Sequence, residues 1–139
     1  MARYDKYAPK GGGFRAGIGF AAVLADLNVP FGVGLDANGR AVKGSGTTGV
    51  IGVLIVTKTK AIGDIVDVMT AGDIVEAGAG AAGTTALAAG IPVYAVPGTG
   101  LLTATSTGNV RVGWTVEGGV VATTRLVVRA GVPNPLTAA

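Results

Sequence analysis

The chain has 139 residues, eleven Lys plus Arg, eight Asp plus Glu, and neither His nor Cys. That length suits one domain with a core of its own, and the missing His and Cys exclude the usual zinc, haem and iron–sulfur ligand sets, a His-dependent triad and a thiol nucleophile. Charged residues are only 14% of the sequence, against roughly 25% in an average soluble domain, and the whole +3 excess lies in residues 1–15, where Arg3, Lys6, Lys10 and Arg15 face Asp5 alone.

The first element is an extended arm, residues 1–17 (MARYDKYAPKGGGFRAG), which joins those bases to Tyr4, Tyr7 and Phe14. Three consecutive glycines, Gly11 to Gly13, make it a hinged segment with no packing of its own. Solvated tail, nucleic-acid track and protein-docking segment are the competing readings. Four bases are thin for a phosphate backbone, and the body adds no basic patch to continue the track. Docking to a protein is therefore favoured, with Arg3, Tyr4, Tyr7, Phe14 and Arg15 as the contact residues, since aromatics and Arg anchor interfaces. The bases followed by the apolar run 16–25 (AGIGFAAVLA) have the outline of a secretory signal. The glycines in and before that run make a poor hydrophobic helix, and a signal is not expected.

From Ile18 to residue 131 the pattern is one of short β-prone runs cut by turn residues. Residues 31–35 (FGVGL) lead into Asp36-Ala37-Asn38-Gly39, a hairpin turn signal, with a return strand over 40–43. Residues 50–58 (VIGVLIVTK) form the most apolar run, a buried strand by length and β-branching. Strands are also expected in 64–70, 73–77, 91–96, 101–105, 110–117 and 125–130, with a turn at 97–100 and one helical turn around 85–89. Pro133 and Pro135 close off a tail, 132–139. The sum is an all-β single domain, a Greek-key-like barrel or sandwich in which hairpins dominate the pairing.

Candidate chemistry is sparse. Asp64, Asp67, Asp73 and Glu76 sit in two echoing segments, GDIVD and GDIVE, but residues three apart on a strand point to opposite faces and do not converge on a cation or a reacting bond. The glycine-rich stretch 78–83 lacks the Gly-Lys-Ser/Thr and the helix of a phosphate loop. No cofactor, metal or enzymatic activity is expected. The longest uncharged stretch, 77–110, is broken by Gly, Pro, Ser and Thr, so no membrane partner is expected either. In 110–117 (VRVGWTVE), strict alternation puts Val112, Trp114 and Val116 on one face and Arg111, Thr115 and Glu117 on the other. Trp114 then reads as a core or subunit-interface residue.

The ordered series IGVL at 51–54, the paired Gly-Asp-Ile-Val segments, AAGIPVY at 88–94, the turn at 98–100, VRVGWTVEGG at 110–119 and LVVR at 126–129 resembles the small capsid decoration (cement) proteins of tailed bacteriophages. That resemblance implies a tulip-like β-barrel that assembles as a homotrimer on the outside of an icosahedral head. It would sit at threefold and quasi-threefold positions and reach onto the major capsid protein with its N-terminal segment. A neutral, Val/Gly-rich body agrees with symmetric self-association. The alternatives are a subunit of another β-rich assembly (fibre, tail or coat) and a carbohydrate- or small-ligand-binding barrel.

Overall fold

The computed structural model describes residues 13–70, 74–76, 87–118 and 125–128, of which 74–76 and 125–128 are described by backbone alone. These residues form ten strands: β1 (Phe14–Gly17), β2 (Phe31–Leu35), β3 (Ala41–Lys43), β4 (Gly52–Leu54), β5 (Ile65–Val68), β6 (Ile74–Glu76), β7 (Pro92–Ala95), β8 (Leu102–Thr103), β9 (Val110–Glu117) and β10 (Arg125–Val128). A single 3-10 turn, Leu24–Asp26, precedes β2. All the ladders are antiparallel, and they group the strands into sheets of order β1–β5, β3–β2–β4 and β6–β10–β9–β7–β8. The all-β expectation holds. Single bridges (Ile18 to Ala41, Phe31 to Leu101, Val53 to Met69) rather than ladders join the sheets, so the described residues make a layered sandwich and not a closed barrel. No helix among them is long and apolar enough to cross a membrane.

The β2–β3 hairpin forms where its sequence signal lies. Gly39 takes φ +74°, the left-handed conformation that turns the chain within the five-residue link between the paired Leu35 and Ala41. Asp36 does more than the Asn-Gly signal suggests. Its Oδ1 accepts from the backbone N–H of Asn38 (2.8 Å) and of Arg40 (3.0 Å), locking the loop from inside. The pairing then runs Leu35 opposite Ala41 and Gly34 opposite Val42.

The β3–β2–β4 sheet is the middle layer. Alternating residues of β4 enter two different cores: Val53 joins Val50, Val93, Ala95, Leu102, Val110 and Val112, while Leu54 joins Ile18, Phe31, Val33, Ala41, Val66 and Val68. A strand buried on both faces must be apolar without alternation, which accounts for the run at 50–56. The regular pairing is shorter than that run because the partners change along it. Val56 is handed over to the backbone of Leu27 and Asn28. Gly32 faces the five-stranded sheet, where a Cβ would come within 2.4 Å of the Ala95 Cβ. The two layers meet there at a distance only glycine permits.

Two expectations are corrected. Hairpins do not dominate: of the seven ladders among the described residues only β2–β3, β7–β8 and β9–β10 join consecutive strands. The arm also ends sooner than the composition suggests, because Phe14–Gly17 is a strand of the body. Of the predicted helical turn at 85–89, residues 87–89 are described and form no helix, only the start of a turn at 89–90; residues 85–86 and the tail lie outside the described residues.

Candidate functional site

The root of the arm is built into the fold. Strand β1 pairs with β5 in the register Phe14–Val68, Arg15–Asp67, Ala16–Val66 and Gly17–Ile65. Phe14 packs on the core that holds Val66 and Val68, and Arg15 Nε lies 3.0 Å from Asp67 Oδ1 with both side chains about three-quarters exposed. A pair so open to water contributes little to stability; the register is set by the ladder and by the packing of Phe14 on the core. The structure therefore gives Phe14 and Arg15 partners in their own chain. Arg3, Tyr4 and Tyr7 lie outside the described residues.

Among the described residues the carboxylates of 64–76 form no group of three or more that could hold a metal ion. Asp64 closes a turn by accepting from the Ala61 N–H at 2.8 Å, and Asp67 is taken by Arg15. Asp73 and the Glu76 side chain fall outside the described set, as does the glycine-rich stretch 78–83.

A different acid has the most built environment. Asp26 is buried at the end of the 3-10 turn, where its Oδ1 accepts from Lys43 Nζ at 2.8 Å and its Oδ2 from the Val23 N–H at 3.0 Å. Burial pushes its carboxyl up, but the Lys43 hydrogen bond, the Val23 N–H and the Lys43 charge outweigh burial and hold it below the usual aspartate range. The Lys43 ammonium also lies 4.4 Å from the Phe31 ring centre and 4.9 Å from that of Phe20, a cation–π arrangement. The two rings meet edge to face at 6.3 Å. This cluster clamps the turn onto β3 and leaves Val23 and Leu24 projecting, 53% and 79% exposed.

Strand β9 carries the second surface. Its burial does not alternate, because the strand is bulged twice. Against β7, Gly113 opposes Val93 while Arg111 opposes Tyr94, so Val112 is an extra residue. Against β10, Thr115 opposes Leu126 while Glu117 opposes Arg125, so Val116 is the second extra residue. Each bulge turns the following side chains over. Val110, Val112 and Thr115 are buried, whereas Trp114, Val116 and Glu117 are exposed and Arg111 is half-buried. Trp114 thus belongs to the outer face and not to the core, and Arg111 and Glu117 share that face instead of opposing it. Thr115, expected outside, is 1% exposed. Its Oγ1 donates to the Ala88 carbonyl (2.6 Å) and accepts from the Ile91 N–H (2.9 Å), pinning residues 88–91 to the sheet.

This layered arrangement has a solved counterpart. A chain of a structure described as Mycobacterium phage Patience matches it with a TM-score of 0.62 over 93% of this chain and 96% of that one, at 20% identity. At that identity the likeness establishes the fold, and it does so over nearly the whole of both chains. No protein-family model and no curated protein matches the chain.

Sequence reasoning did not find the Asp26–Lys43 pair or the Thr115 clasp. The pair is 17 residues apart across a turn and a hairpin, and nothing in Leu-Ala-Asp marks it. The doubled bulge left one trace, the even spacing of Arg111, Trp114 and Glu117, which only a departure from two-residue periodicity brings to one face.

Proposed function

We propose that this chain is a structural protein of a phage virion, a head decoration protein that binds the outside of the capsid at threefold and quasi-threefold sites. It acts there as a binding protein and not as an enzyme. The observation that carries the reading is the end-to-end likeness of its fold to a chain of a mycobacteriophage structure. The ordered motif series and the low-charge body support it. In this reading the reaching part of the arm is residues 1–13, with Arg3, Tyr4 and Tyr7 contacting the major capsid protein. Phe14 and Arg15 hold the root in β1. A basic, glycine-hinged segment anchored in a sheet suits main-chain pairing with a neighbour's strand edge, and repetition over many equivalent sites multiplies modest contacts.

The test is occupancy on heads assembled from the major capsid protein of the same genome. Full-length protein is expected to fill the threefold sites in cryo-electron microscopy, and a variant lacking residues 1–12, which leaves β1 intact, to lose most of that density. Empty threefold sites with the full-length protein would overturn the decoration reading. Equal occupancy by the two proteins would overturn the clamping arm.

A further inference from the structure

We propose that the outer face of β9 is a self-association surface, which packs on the same face of a second copy across a two-fold axis through Trp114. The argument starts from the two bulges. They place Arg111, Trp114 and Glu117 on one face, with the base and the acid each three residues from the indole. A two-fold axis through Trp114 runs the two β9 strands antiparallel and sends position 111 of each copy onto position 117 of the other. The charge order is therefore self-complementary, as an isologous contact requires. Arg111 supplies the second observation. Its Nε is enclosed within its own chain without a hydrogen-bond partner, but the residue as a whole is only half-buried, so part of it remains accessible at this face. A guanidinium in that position is matched by a carboxylate, which can take two of its N–H groups at once. Glu117 also interacts within its own chain, but a carboxylate has lone pairs for more than one donor. Trp114, 36% exposed, and Val116, 46% exposed, supply the apolar centre, and Pro92, opposite Trp114 on β7, extends it.

This inference goes beyond the virion role and stands or falls independently of it. Sedimentation equilibrium of the full-length protein, up to about 1 mM so that weak contacts are populated, reads it directly. The wild type is expected to show a two-fold association step, whether from monomers or from a larger assembly. Arg111→Glu and Glu117→Arg should each weaken that step by about tenfold or more, because like charges then meet across the axis. The double reversal should restore it, and Trp114→Ala should abolish it. Circular dichroism checks that each variant is folded. If a reversal misfolds, the neutral variants Arg111→Gln and Glu117→Gln replace it and must each weaken the step. No two-fold step in the wild type, a step indifferent to these charges, or a folded double reversal that fails to recover would overturn the proposal.

Discussion

Thr115 and Asp26 show how much one polar side chain can hold in a body with so few charges. Thr115→Val keeps the shape but leaves the Ala88 carbonyl and the Ile91 N–H without the hydroxyl that serves both. A loss of about 1–3 kcal/mol in urea unfolding is expected, while Thr115→Ser should lose much less. For Asp26 the sign follows from its direction. Its carboxyl titrates lower in the folded chain than in the unfolded one, so its contribution is complete above the ordinary aspartate value and fades as pH falls through it. Asp26→Asn should therefore cost about 2 kcal/mol at neutral pH, and the gap to wild type should begin to narrow below about pH 4 and vanish only once pH has fallen through the lowered folded value. A gap that stays constant from pH 7 to pH 3 would show that the ion pair is not what stabilises the turn.

At the scale of elements, the close approach of β2 to β7 gives a clean test of the layered architecture. Gly32→Ala forces two Cβ atoms together and should destabilise by about 1–3 kcal/mol through overpacking. Ala95→Gly removes the opposing atom, so the double variant should recover most of the loss, a coupling that thermal or chemical unfolding can measure. The elements were legible in the sequence wherever the signal was local. The Asn-Gly turn, the apolar run at 50–56 and the turn at 97–100 all follow from residues next to one another. What escaped depended on distant partners. Strand β1 contains neither Val nor Ile and exists because β5, 52 residues on from Arg15 to Asp67, needs an edge. The outer face of β9 escaped because a bulge is decided by the registers of two neighbouring strands, which periodicity within one strand does not contain.

Across the whole molecule, the three layers separate the tasks. Strand β4 of the middle sheet is buried on both faces, the two-stranded sheet carries the root of the arm, and the five-stranded sheet presents β9 to the outside. On a shell the arm and the β9 face would complement each other. Under the proposed decoration role the arm would hold a subunit to the surface below and the two-fold contact would join it to a neighbour, since neighbouring threefold positions on an icosahedral lattice are related by two-fold or quasi-two-fold axes. Of the candidate site, sequence reasoning singled out Trp114 but misplaced the indole's charged companions, and the expected contact residues Arg3, Tyr4 and Tyr7 of the arm lie outside the described residues.

The pairing of β1 with β5 also has a consequence in time. A chain leaving the ribosome presents Phe14–Gly17 long before Ile65–Val68 has been made, so the first strand of the sheet waits as an unpaired edge. Topologies ruled by such distant pairings fold slowly, on the scale of milliseconds to seconds. Phe14–Gly17 thus gains its partner strand only after roughly 50 further residues have been synthesised, and the segment that precedes it has no anchored end until then.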